Sequence, residues 1–170
     1  MQELVGIAER IDRAMAAIGR AAAWLALAVV LLQFGVVLLR YVFGAGSLWL
    51  QESVVYAHAG LFMLAAAWTL AAGGHVRVDI LYARATPRQQ ALIDLVGTLV
   101  FLFPFMTALL VLSLPYVARS WAIFERSREA SGLPFVFVLK TLIPVFAGLM
   151  LLQGAAIVIR AGLMLAGERR

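Results

Sequence analysis

Few side chains in this 170-residue chain are equipped for chemistry, and most of those gather around one apolar run. Glu52, in the stretch Trp49-Leu50-Gln51-Glu52, stands just before the run; His58 lies within it, and His75, Arg77 and Asp79 stand just after it. Asp94 opens the next apolar run. Paired histidines in a membrane bundle are what a bis-imidazole haem site needs. Here 17 helical residues separate His58 from His75, about 25 Å along one element, so a single chain does not place them across one haem. An embedded carboxylate is the usual mark of an ion path in a small carrier. Glu52 and Asp94 fall near the ends of their runs, and the runs lack the paired interruptions of inverted-repeat carriers. A haem-bearing membrane anchor and an autonomous four-helix carrier using Glu52 and Asp94 therefore stand as alternatives, behind a reading in which these residues are anchors or subunit contacts. Cysteine is absent, and no nucleophile–base pair, phosphate loop or metal-ligand cluster is evident. The pattern is not that of an enzyme, and no cofactor is expected.

The elements that carry these residues belong to a membrane. Hydrophobic residues make up 64% of the chain and charged residues 14%, with a mean hydropathy of +0.98, outside the range of soluble domains. The net charge is +5, but the basic residues flank apolar segments instead of forming a stripe with interleaved aromatics, which argues against nucleic acid. The expected fold is an all-α membrane protein: four transmembrane helices over about 21–39, 49–72, 88–118 and 140–162, forming one domain over 21–166, preceded by an amphipathic interfacial helix over 1–20. In that first segment Leu4, Ile7, Ile11, Met15 and Ile18 recur at three- and four-residue steps, opposite Glu9, Arg10, Asp12 and Arg13. Such a helix lies against lipid with Arg10, Arg13 and Arg20 near anionic headgroups, or packs on a partner subunit.

Local signals set the ends of the spans. Small residues seven apart, Ala21, Ala28 and Gly35 in the first span and Gly148, Ala155 and Gly162 in the fourth, suit close helix approach. Ser47 is placed to cap the second helix, and Gly73-Gly74 to end it. Thr86-Pro87-Arg88-Gln89 reads as a capping box with proline at N1. Pro104 should kink the third span and Pro115 mark its fraying end. A carboxylate at the depth of Glu52 is costly unless it is hydrated, protonated or paired, and Arg40 is its candidate partner within the chain. His75, Arg77 and Asp79 alternate with Val76, Val78 and Ile80, which predicts an extended surface segment. Four spans put both termini on one side, with nine basic residues against five on the other side. The positive-inside rule makes the termini cytoplasmic.

Arg40-Tyr41, Trp49-x-x-Glu52 and His75-Val76-Arg77-Val78-Asp79, followed by Gly132-Leu133-Pro134, Lys140, Pro144 and Gln153-Gly154, resemble the small membrane subunit (DctQ-like) of tripartite ATP-independent periplasmic (TRAP) transporters. The likeness runs over roughly 20–160 and is closest to the branch associated with mannitol, chloroaromatic or 2-oxo acid substrates. The resemblance implies a small scaffold subunit in the bacterial inner membrane, part of a secondary-active, sodium-coupled, binding-protein-dependent uptake system for organic acids. Its implied partners are a large membrane transport subunit, a periplasmic substrate-binding protein and membrane lipids. Carried onto this sequence, Arg40, Trp49, Glu52, His75, Arg77 and Asp79 become interfacial or subunit-contact residues. The charge and expected side of Arg126, Arg128 and Glu129 make them candidates for docking the binding protein.

Overall fold

In the computed structural model, which describes residues 1–75 and 82–167, the chain is built from helices alone among the described residues. They are α1 (Gln2–Val42), α2 (Leu48–Ala71), α3 (Pro87–Gly97), α4 (Phe103–Ala122) and α5 (Val136–Gly167), with a π-helical turn at Thr98–Leu102 joining α3 to α4. Four rods are long and apolar enough to cross a membrane: α1, α2, the continuous Pro87–Ala122 helix and α5. α1 packs along α2 and α5, α2 packs on α5, and α3 and α4 both rest on α5. The core is thin and sulfur-rich, with Met15, Ala67, Met106, Ala147 and Met150 buried together. Most large apolar side chains face outward, as they do where lipid is the solvent.

The local start and stop signals act as their chemistry requires. The Ser47 hydroxyl accepts from the Leu50 amide, and Thr86 and Gln89 form the reciprocal capping box with Pro87 in the first turn. Gly73 takes φ +68°, and the Gly74 amide reaches back to the Thr69 carbonyl at 2.8 Å. That closes α2 in a left-handed turn. Arg77 and Asp79 lie outside the described residues.

Four expectations are corrected. There is no break near residue 20: α1 is one helix of 41 residues, about 60 Å long and roughly twice the hydrocarbon thickness. No proline interrupts it, and Ile11, Met15 and Ile18 turn into the protein core. Within the chain the spaced glycines make no close helix approach, since a Cβ at Gly35, Gly148 or Gly162 would meet only open space, and Ala21 is exposed. Close approach occurs instead at Gly19, where a Cβ would come within 2.5 Å of Trp68, and at Gly154, where it would meet Phe103 at 2.6 Å. Pro104 does not act alone. The chain widens just before it, and the Phe103 amide bonds to the Thr98 carbonyl five residues back, which gives a ring without an N–H room in the ladder. Pro115 sits inside α4, which continues to Ala122.

Candidate functional site

The residues singled out by type are shared between the two ends of the bundle. At one end α2 begins, and Glu52 occupies its second turn. Its carboxylate accepts from the Ser127 hydroxyl and, through its other oxygen, from the Leu133 backbone N–H, each at 2.5 Å. An ionised acceptor makes the stronger class of hydrogen bond, and these two tie loop 123–135 onto α2. Arg40 is not the partner: the Glu52 oxygens turn to the loop, and Arg40 remains exposed in the last turn of α1. There a cation complements the helix's negative end. Trp49 is 53% exposed one turn before Glu52, as an interfacial anchor would be.

The loop is folded around this carboxylate. The Ser127 amide donates to the Leu133 carbonyl and the Gly132 amide to the Glu129 carbonyl. A Cβ on Gly132 would run into Ser127 and come within 2.7 Å of a Glu52 oxygen, so the turn needs glycine for space. Arg126 and Arg128 flank the anchored Ser127, and both are exposed, as is Glu129. Their outward placement follows from Ser127 pointing inward. The loop's first residues are held by Glu125, which pairs with Lys140 of α5. That ammonium also lies 4.1 Å over the Tyr116 ring. The hydrogen bond from Lys140 is the main cause holding the Glu125 carboxyl below its ordinary range. Phe124 takes φ +45°, a costly conformation for a residue with a Cβ, while its ring packs edge-on against Phe137, 5.6 Å between centroids. Trp121 packs on the same ring at 4.6 Å and donates from its indole N–H to Thr141.

At the other end a polar cluster forms that the sequence does not announce. Gln153 of α5 is fully buried and donates from its amide to Asp12 of α1 at 3.0 Å. The other Asp12 oxygen pairs with Arg160 of α5. Nearby, the Tyr82 hydroxyl donates to Asp94 at 2.9 Å, and the Gln90 amide to the Tyr82 carbonyl. Tyr82, Asp94, Gln153 and Arg160 line a cavity of about 270 Å³ between the end of α2, α3 and α5. The available signal was Gln153, the strongly polar residue within the fourth span. Asp12 was hidden because helical periodicity groups it with the exposed Glu9, Arg10 and Arg13.

Glu52 and Asp94, the pair an autonomous carrier would use, are thus held at separate sites, one by the loop before α5 and one by Tyr82 at the opposite end. His58 is exposed on the flank of α2, and His75 is exposed beyond its C-terminus. The arrangement builds packing faces and closed ends, with side chains tying helices and loop together.

A family model described as tripartite ATP-independent periplasmic transporters, DctQ component, matches residues 29–162. No curated protein and no solved structure matches the chain.

Proposed function

The chain belongs to the DctQ component family of tripartite ATP-independent periplasmic transporters, a family of transporter subunits and not of enzymes, and from that premise we propose that it is the static small subunit of a sodium-coupled, binding-protein-dependent uptake system for organic acids. It is a multi-pass protein of the bacterial inner membrane. The observation that carries the scaffold reading is the Glu52 anchor: a carboxylate near the membrane surface is spent on immobilising a loop. A large membrane subunit then takes the exposed apolar helix faces, and a periplasmic binding protein approaches the loop. The termini are cytoplasmic and loop 123–135 is periplasmic.

Arg40, Trp49, His75, Arg77 and Asp79 serve in this reading as interfacial or subunit contacts. Arg126, Arg128 and Glu129 serve as a charged platform for the binding protein, because complementary surface charge raises encounter rates and fixes orientation. Reversing both arginines to glutamate should lower uptake several-fold and flatten its salt dependence; unchanged uptake with unchanged salt dependence removes the docking role. Side is read by cysteine labelling at Ser131, which is exposed, whereas Ser127 is occupied by Glu52. Reaction with an impermeant reagent in intact cells supports a periplasmic loop, and reaction only after lysis reverses the topology. The subunit role is tested by mild-detergent purification of the tagged chain at native expression level. Recovery of a much larger polytopic subunit near one-to-one is expected, and a chain that stays alone and drives uptake in liposomes would return the carrier reading.

A further inference from the structure

α2 carries polarity on a side where a helix that meets only lipid would have none. It is the least hydrophobic of the four rods. Gln51, Val55, His58, Phe62, Ala65 and Thr69 recur along it at alternating steps of four and three, which keeps them on one seam. Val55, His58 and Phe62 are exposed and the other three half-buried, so neither α1 nor α5, the helices packed on α2, covers the middle of the seam. Two of its polar groups are accounted for. Thr69 donates its hydroxyl to the Ala65 carbonyl, and Gln51 stands beside Glu52 near the membrane surface, within reach of water. His58 is different. It lies ten residues after Leu48, about 15 Å along a helix of about 36 Å, and makes no hydrogen bond among the described residues. An imidazole presents at least one N–H in any protonation state, hydrocarbon offers it no acceptor, and the side chain is too short to snorkel that far. α1 supplies the contrast. The contacts of Gly19 with Trp68 and of Gly60 with Leu25 set the antiparallel register of α1 and α2. Over the depth of His58 the outward stripe of α1 is Leu27, Leu31, Phe34 and Leu38, spaced in the same way, exposed and purely apolar. Acyl chains are a sufficient solvent for it. Gln33, exposed beside that stripe, falls by the same register near the level of Glu52, where it reaches the headgroups.

We infer that the α2 seam is where a transmembrane helix of the large membrane subunit docks, crossing at about +20° as heptad-spaced faces do, with a hydrogen-bonding side chain set opposite His58. The inference rests on the subunit reading and narrows it to one face. Histidine is among the side chains that hydrogen-bond across membrane helices, and small residues at the contact let backbones approach, the part that Ala65 plays two turns beyond His58. Lipid as the occupant suits Val55 and Phe62 and leaves the imidazole N–H unpaired. A second copy of this chain, related by a two-fold axis, would set His58 against its own equivalent, and the test separates that arrangement by mass.

The test is photocrosslinking in intact cells that express the full chain together with the epitope-tagged large subunit identified by co-purification. Benzoylphenylalanine at Val55 or Phe62 should give an adduct carrying the large subunit's tag, and at Leu31 or Phe34 of α1 little or none. His58→Leu, which suits lipid better than histidine does, should lower the amount of large subunit retained in mild detergent several-fold. His58→Gln should restore part of it, since an amide also donates. Ala65→Phe should act in the same direction as His58→Leu by holding the partner helix away. The thermal midpoint of the detergent-solubilised chain verifies that the variants are folded, and the crosslinks at Val55 and Phe62 keep His58 in place, so they stay informative if His58→Leu is not. Three results would each overturn the assignment while leaving the subunit reading where it stands: no tagged adduct at Val55 and Phe62, adducts there of twice this chain's mass, or wild-type retention of the large subunit by both His58→Leu and Ala65→Phe. Failure of the wild-type chain to recover a large subunit would remove both readings.

Discussion

The two ends of the bundle are closed by different physics. Where α2 begins, one carboxylate gathers a hydroxyl and a backbone N–H from a loop about 80 residues further on. At the end where α2 stops, a buried amide and a guanidinium from α5 converge on Asp12 of α1, 141 and 148 residues away. The first closure fixes a loop to a helix and so shapes a surface. The second fixes helix to helix and so sets how far α1, longer than any bilayer requires, stays against the bundle. A loop lacks its own hydrogen-bond ladder and depends on its anchor, while a helix keeps its backbone bonds when a side-chain clasp is cut.

That contrast can be broken most sharply at Glu52. Glu52→Ala leaves the Ser127 hydroxyl and the Leu133 amide without their acceptor. Protease cleavage within loop 123–135 should rise several-fold, and docking of a binding protein should fall with it. Cleavage at the wild-type rate would mean that the aromatic cluster around Phe137 holds the loop without Glu52. Glu52→Gln should retain part of the order, since an amide oxygen still accepts, though more weakly than an ionised one.

Cutting the other clasp should cost less in surface order and show in stability. Asp12→Ala leaves the buried Gln153 amide unpaired, a penalty of about 1–3 kcal/mol, and should lower the thermal midpoint of the detergent-solubilised chain. Asp12 and Arg160 are each more than a third open to water, so solvent recovers part of what their pair contributes. Loop cleavage in this variant should match the wild type. A rise equal to that of Glu52→Ala would show the two ends to be coupled and erase the contrast.

The smallest effect is expected from pH at Glu125. Its carboxyl is held below the ordinary value of 4.5 chiefly by Lys140. A group with a depressed folded pKa stabilises the fold above its unfolded pKa and loses that contribution as pH falls through the folded one. Loop order should therefore be insensitive to pH near neutrality and decline below about 4.5. Glu125→Gln should flatten that decline, and an unchanged acid profile would assign the titration to another carboxylate. The pair is partly open to water and so partly screened, which keeps the change slight.

The spans, their caps and the family were legible from sequence because each is written locally. Apolar length sets a span, Ser47 and Thr86 cap the helices that follow them, and glycine ends α2 where φ turns positive. The resemblance read from Trp49-x-x-Glu52 through Gln153-Gly154 is borne out by the family match. Partners were not legible. Arg40 was the nearest cation to Glu52 by reasoning along the chain, yet the acceptor found its donors beyond residue 126, where the loop folds back over α2. Asp12 shared a helical arc with solvent-facing charges and still became the centre of a half-buried contact, because the facing helix brings Gln153 and Arg160 to that spot. Similarly, the spaced glycines Gly35, Gly148 and Gly162 face open space while Gly19 and Gly154 took the close contacts, a choice set by the crossing of whole helices. The sequence by itself determined that this is a membrane subunit with four helices long and apolar enough to span, and which residues cap the second and third. Only the tertiary structure decided which polar groups meet, since a hydrogen bond between residues more than a hundred positions apart depends on the packing of entire helices and leaves no period in the chain.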